Sequence, residues 1–440
     1  MKKKYSIAFM GITLCFIIIG SYLIFTNNQF VRVTPMEVFS QKEPITFMSS
    51  WGAYDSRAIK INKVLGEIER ANHDLMIENT SIAGSEFLYG LKMDFASGCE
   101  PDIFGLWPGS DINLLIKKGK IADLTDLLRA NPSWYKCFKT STWDMVTVDG
   151  RIYGLPIELI YEALFINRDL FEKYGVKVPT TYQELLEAID IFKENGVIPI
   201  AYNQTSEGSY LYQNMVMKLG GKEDVEQPFD ENGKLKPCFK QGMYYLKELY
   251  DRGAFPKNWY ELDDKKRNEL FVDKKAAMIV QGSWLIGDQG LNSMDSKVDV
   301  VPFPDMPGGK ADSTAIIYGC GNGILHISTK AWNNPEKKKQ CIEVLKTLSS
   351  PKSVAILAQS AGYISNIDLG EYTPQETLMG QKGKDLIEQS TELVGAVDWY
   401  INRNIWENVM IKAFPQILKG KMTSEMLCEM VEQEMQMLNE

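Results

Sequence analysis

The sequence predicts an α/β protein of at least two compact units behind an apolar N-terminal segment, and three observations lead there. Strand-like runs alternate with helix-like runs along most of the chain, which implies parallel sheet covered by helices on both faces. A length of 440 residues exceeds what a single hydrophobic core serves. The composition, 45% hydrophobic and 24% charged, is that of an ordered globular protein rather than a disordered one.

In chain order, residues 5–25 carry no charge and follow Lys2, Lys3 and Lys4. The run is long enough to cross a bilayer, and the lysines place its start in the cytoplasm. It is an anchor or a signal peptide. No small-x-small exit follows it, which favours an uncleaved transmembrane helix. Cys15 is preceded by Leu14, where a lipidation box needs Gly or Ala, so Cys15 reads as an apolar residue of the span. Residues 27–43 are polar and aperiodic, a tether.

Residues 45–51 alternate as a strand. Ala58, Ile61, Leu65 and Ile68 then line one face of a helix, 75–82 is a second strand, 87–95 is helical and 101–107 is a third strand. Residues 123–128 and 132–145 read as connecting helices. The stretch 149–186 changes state several times: Gly150 and Gly154 flank an extended run, Pro156 keeps its predecessor out of helix, and 162–167 is a compact apolar strand. Thr181 with Glu184 forms a capping box ahead of a helix buried through Leu185, Leu186, Ile189 and Phe192. A strand at 198–202, a helix at 242–252 and a strand at 276–280 ending toward Trp284 follow. Residues 298–303 and 316–327 are expected to return to the first unit. Asn334-Pro335 and Ser350-Pro351 each start a helix.

Taken in this order, several segments resemble the extracellular solute-binding proteins of the ABC-transporter sugar-binding family, relatives of maltose-binding protein. They are 149–186, then LFVDKKAAMIVQGSWLIGD at 270–288, the Gly-rich 298–328, SSPKSVAILAQSAGYISN at 349–366 and the closing 420–438. Ser365 stands where that family's pattern usually has proline. The resemblance implies a two-lobed periplasmic-binding-protein-like fold with a hinge, preceded here by the N-terminal transmembrane helix of 1–26 and the tether of 27–43. It places lobe 1 at 44–154 and 299–362, and lobe 2 at 155–298 and 363–440. It implies capture of a sugar or oligosaccharide, or another polar small solute, for delivery to ABC permease subunits, from a ligand-binding domain outside the cell membrane.

Site candidates follow from the chemistry of sugars. An aromatic face stacks on the apolar face of a pyranose while an indole N–H still donates a hydrogen bond; Trp51, Trp107, Trp284 and Trp399 lie at ends of strand candidates or at turns, where open α/β sheets bind ligands. Carboxylates accept from neighbouring hydroxyls. Asp55, Glu78, Asp111, Glu158 and Glu207 are placed for that, and the resemblance favours Asp55, Asp111 and Glu158. It also places Tyr161 and Tyr210 near the hinge and the second lobe, and Gly319 within YGCGNG, 318–323, where glycines let the returning backbone approach the ligand.

Other classes are disfavoured. The net charge of −9 becomes −12 without the three N-terminal lysines, which opposes nucleic acid. His73 and His326 are the only histidines, in no metal or triad pattern, and no Walker loop, HExxH or GxSxG occurs. No catalytic residue, metal or cofactor is therefore expected. Cys99, Cys137, Cys238, Cys320, Cys341 and Cys428 show no framework spacing and read as buried thiols. The alternatives are a membrane-tethered ligand sensor and a carbohydrate-active enzyme working with two carboxylates.

Overall fold

In a computed structural model, the strands run in order as β1 Ile45–Met48, β2 Ile77–Asn79, β3 Ile103–Gly105, β4 Thr147–Val148, β5 Arg151–Ile152, β6 Leu155–Pro156 and β7 Glu158–Asn167. They continue as β8 Ile198–Ile200, β9 Ala276–Gly282, β10 Val298–Val301, β11 Ile316–Cys320, β12 Ile324–Ile327, β13 Ile364–Ser365 and β14 Leu393–Val394. The structure describes residues 43–440 apart from 53–54, 84–85, 288–290, 361 and 440. The expected membrane segment with Cys15, and all but the last residue of the tether, lie outside the described residues. Among the described residues no helix is long and apolar enough to cross a membrane.

The first sheet has the order β2-β1-β3-β12-β6. β1 pairs parallel with β2 and β3, while β12 runs antiparallel to β3 and β6. Successive residues of a strand point to opposite faces, and each face has its own core. Phe47 and Ile103 pack with Ile61, Leu65, Leu345 and Leu357 on one side, and Met48 and Phe104 with Phe87 and Leu91 on the other. The helix Ala58–Ala71 buries the expected stripe of Ala58, Ile61, Leu65 and Ile68.

The second sheet has the order β14-β11-β7-β9-β8. Its axis is β7, ten residues that are all buried. Every backbone N–H and C=O along such a strand needs a partner, and four strands share the work. β9 and β13 pair along β7, as do β10 and β11, all antiparallel. This sheet is therefore mixed and mainly antiparallel, not the parallel sheet that the alternation of elements implies. It also corrects the expected return of 298–303 and 316–320 to the first lobe: β10 and β11 complete the second sheet, and β12 alone of that stretch joins the first. β6 likewise belongs to the first sheet. The two faces are covered separately, Leu164, Ile166, Met278 and Val280 facing one core and Ala163, Phe165 and Ile279 the other.

Helix starts fall where the capping residues put them. Thr181 Oγ1 accepts from the Glu184 N–H at 3.3 Å while Glu184 Oε2 accepts from the Thr181 N–H at 3.2 Å; Asn334 and Ser350 cap the helices Pro335–Leu348 and Pro351–Ala358. The chain passes between the two sheets at Ile157, again at 321–323, and a third time between Leu369 of one core and Met379 of the other. The second of these crossings lines a cleft. Cys238, Cys320 and Cys341 are buried as expected, but Cys428 is half-buried and Cys99 and Cys137 are exposed, the last two lying just beyond the ends of the helices Glu86–Ser97 and Pro132–Tyr135.

Candidate functional site

A cleft of about 210 Å³ is walled by elements of both sheets and floored by β7 and the crossing at 321–322. It adjoins a second cavity of about 600 Å³, and Trp107 and Trp399 line both.

Three indoles reach the cleft from three parts of the chain. Trp107 follows β3, stands edge-on to Phe87 at 5.9 Å and has the Arg403 guanidinium 5.2 Å from its ring centroid. Trp284 follows β9 and folds back across Gly282, where a Cβ would lie 2.1 Å from the ring. Trp399 ends the 3-10 turn Val397–Trp399 and covers Gly319 in the same way. Tyr210, first residue of the helix Tyr210–Glu226, stands edge-on to Trp284 at 5.7 Å. All four side chains are half-buried, so each keeps surface for a ligand.

The floor comes from the alternation of β7. Glu158, Ile160 and Glu162 face the cleft, whereas Leu159 and Tyr161 point into the cores. Arg57 grips Asp55 through Nε at 2.8 Å and Nη2 at 2.7 Å, and its Nη1 donates to Glu158. Burial opposes the Arg57 charge, but Asp55 and Glu158 overcome it and hold the guanidinium protonated. Glu158 is raised above the usual carboxylate range by burial, which outweighs Arg57. Asn322, on the crossing between β11 and β12, accepts from the Ser50 N–H at 3.1 Å and donates to the Gly105 carbonyl at 3.3 Å. Gly321 and Gly323 are required beside it because Ile160 and Glu158 occupy the space a Cβ would take, 2.8 and 2.2 Å away.

The second-lobe wall is acidic. Glu207 accepts from Arg267 at 2.8 Å and from Gln281 at 2.7 Å; burial and Asp264 raise its pKa against Arg267. Glu162 accepts a bond from Asn214 at 2.9 Å. Burial first and Asp398 second push the Glu162 carboxyl well above the ordinary carboxylate range. Arg403 reaches Asp398 at 2.7 Å, with Glu407 and Asp111 at 3.7 and 3.8 Å, and its backbone N–H donates to Ser110 Oγ at 2.8 Å. That last bond joins the two lobes across the cleft mouth.

Of the residues predicted from sequence, Asp55, Trp107, Glu158, Tyr210, Trp284 and Trp399 line the cleft together, as does Glu207. Asp111 lies at its edge, ion-paired with Lys92 at 2.9 Å. Gly319 lies beneath Trp399, and the glycine of that segment on the cleft surface is Gly321. Two expectations are corrected. Trp51 is fully buried in the first core, edge-on to Tyr363 at 6.3 Å, with Arg57 over its ring. Tyr161 is buried beneath the helix Leu378–Gln389, its hydroxyl filling the space over Gly383, because odd positions of β7 face away. Glu78 is exposed on the edge strand β2.

Sequence reasoning missed Arg57, Glu162, Asp398 and Arg403. Glu162 left a signal: ELIYEALFIN carries two carboxylates four residues apart in an otherwise apolar strand, which puts both on one face. Among the described residues no group of three or more His, Cys, Asp or Glu could hold a metal ion. The arrangement offers aromatic platforms and hydrogen-bonding edges.

Comparison with known proteins agrees with this geometry. The chain is 25% identical to the multiple sugar-binding protein of Streptococcus mutans over 63% of this chain and 66% of that one. The chain spans about half to two thirds of the length of the first curated relatives it matches, a Rhizobium meliloti probable sugar-binding periplasmic protein being matched over 50% of its length. A solved chain from work on xylan utilisation by Caldanaerobius polysaccharolyticus superposes with a TM-score of 0.80 at 24% identity, covering 89% of this chain and 100% of that one. Maltose-bound MalE3 of T. maritima superposes at 0.71 with 22% identity, over 90% and 99%. These likenesses show the two-lobed α/β solute-binding fold. The sequence pattern of the bacterial extracellular solute-binding proteins matches residues 54–355, and the chain belongs to that family.

Proposed function

We propose that this protein captures a sugar or oligosaccharide between its lobes outside the cytoplasm and delivers it to ABC permease subunits, without chemistry on the ligand. One observation carries the reading: Trp107, Trp284 and Trp399, from distant parts of the chain, meet in one cleft whose polar lining is carboxylates, hydroxyls, guanidinium groups and the amide of Asn322. Stacking faces beside paired hydrogen-bonding edges match the two faces of a pyranose. The adjoining cavity beyond Trp107 and Trp399 offers room for further rings, which favours an oligosaccharide. The names of the relatives, a multiple sugar-binding protein and a maltose-bound receptor, support the same class.

Lobe closure about the three crossings would give the permease a single loaded shape to recognise, through the ligand's higher affinity for the closed state. The apolar run 5–25 behind Lys2–Lys4 would keep the protein on the membrane, close to its permease. A thermal-shift screen against a panel of neutral sugars tests the ligand class: a true ligand at about 100 times its dissociation constant adds about 2.7 kcal/mol of stability, and a panel without any shift defeats the reading. Mass spectrometry of the membrane-extracted protein tests the anchor, which a mature N-terminus beyond residue 25 would rule out.

A further inference from the structure

Among the described residues, the two cationic side chains lining the cleft already have carboxylate partners. Arg57 holds Asp55 and Glu158, and Arg403 holds Asp398 at 2.7 Å with two further carboxylates within 3.8 Å. Arg267, behind the wall, is taken up by Glu207 at 2.8 Å and Asp264 at 3.4 Å. Lys222, on the adjoining cavity, is 3.9 Å from Glu226. Carboxyl groups, by contrast, are in excess. Glu162 faces the cleft with Asn214 as its hydrogen-bond partner and no cation paired to it among the described residues, and its pKa is raised by burial and by Asp398.

Resting on the sugar-binding reading, we propose that this cleft selects by charge: it takes uncharged or amino-substituted saccharides and rejects those carrying carboxylates. Among the described residues of the cleft, a uronate would meet no guanidinium without a carboxylate partner to replace the water it sheds, and would lie against the carboxyl groups of Glu162, Glu207 and Asp398. Removing a carboxylate from water without a partner is costly. A neutral hydroxyl at the same place can donate to the carboxyl oxygens of Glu162 or Asp398. An ammonium substituent would find carboxylates on the second-lobe wall.

The test measures calorimetric affinities of the full-length chain for maltotriose, xylotriose and triacetylchitotriose as neutral probes, the deacetylated chitosan trimer as a cationic probe and trigalacturonate as the acidic probe. The expected result is that trigalacturonate binds at least tenfold more weakly than the best neutral or cationic probe. A smaller ratio, or tighter binding of trigalacturonate, overturns the inference while leaving a sugar-binding protein; absence of binding by every probe overturns the sugar-binding reading as well. Asp398→Asn, nearly isosteric, removes the 2.7 Å carboxylate partner of Arg403 and one acidic group of the wall, leaving Glu407 and Asp111 at 3.7 and 3.8 Å, and is expected to raise trigalacturonate affinity severalfold. An unchanged trigalacturonate affinity, in a variant whose melting curve matches that of the parent, would show that the Asp398 carboxylate and its pairing with Arg403 are not the cause of rejection, and would overturn the inference.

Discussion

The indole of Trp399 lies directly on Gly319, so that a Cβ at position 319 would fall 2.5 Å from Cη2 of the ring. No heavy atoms sit that close without displacement. The backbone of Trp399 is equally confined from the other lobe, by Gly109, whose Cβ would lie 3.0 Å from the Trp399 carbonyl oxygen. Ring position is therefore set by two glycines, one on each lobe.

Gly319→Val is expected to push the Trp399 ring off its seat and weaken ligand binding about tenfold or more, as Trp399→Ala would, because a platform displaced by an ångström loses its stacking geometry. Calorimetry with the ligand found by thermal shift, alongside indole fluorescence, checks this. Full affinity in Gly319→Val would show that the ring is not part of the site.

Trp284→Ala is expected to cost about 1–3 kcal/mol of binding, the scale of one lost aromatic contact, with little loss of fold stability because the ring is half-exposed. Measured affinity equal to that of the parent would remove Trp284 from the ligand contacts.

Arg57→Met leaves Asp55 and the buried Glu158 without their cation. Removing one member of such a buried network destabilises by about 3–5 kcal/mol. Urea unfolding measures it, and the double variant Arg57→Met with Glu158→Gln should recover part of the loss, since the stranded charge is gone. A single variant as stable as the parent would show the network to be dispensable.

His326 is buried between the carbonyls of Tyr153 and Leu106, its Nδ1 2.7 Å from the first and Nε2 3.2 Å from the second. Burial lowers its pKa to about 4, below the value of about 6.5 for an unfolded histidine. Between those values the unfolded chain binds a proton that the folded ring refuses, so this residue's contribution is full above about pH 6.5 and declines as pH falls toward 4. The loss amounts to about 3 kcal/mol. It is read as the difference in pH dependence between parent and His326→Gln in denaturant titrations from pH 7 to 4; parallel curves would contradict it.

A thiol-reactive maleimide should label Cys99 and Cys137 in the folded protein well before Cys238, Cys320 and Cys341, because the first two are exposed and burial raises the pKa of the others. Peptide mapping of the labelled chain decides the order.

Local chemistry was legible in the sequence. Thr181 with Glu184, Asn334 with Pro335 and Ser350 with Pro351 mark helix starts because capping is settled within four residues, and the stripe of the helix Ala58–Ala71 is visible because one face of that helix meets solvent. The order of its segments was enough to identify the family. The helix Tyr210–Glu226 was invisible to the same reasoning: buried on nearly every side from Leu211 to Gly221, it has no polar face and so no period to detect. Which sheet β10 and β11 join was equally hidden, since it depends on the open edge of β7 far away in the chain. Trp51 and Trp107 both follow strands of one sheet, yet one fills a core and the other lines the cleft; Tyr161 and Glu162 differ by one position and face opposite sides of β7. The sequence by itself determined the residue types, the local starts and stops and the family. Only the tertiary structure decided which aromatics and carboxylates share the cleft, because strand pairing and side-chain facing are set by contacts between segments a hundred or more residues apart.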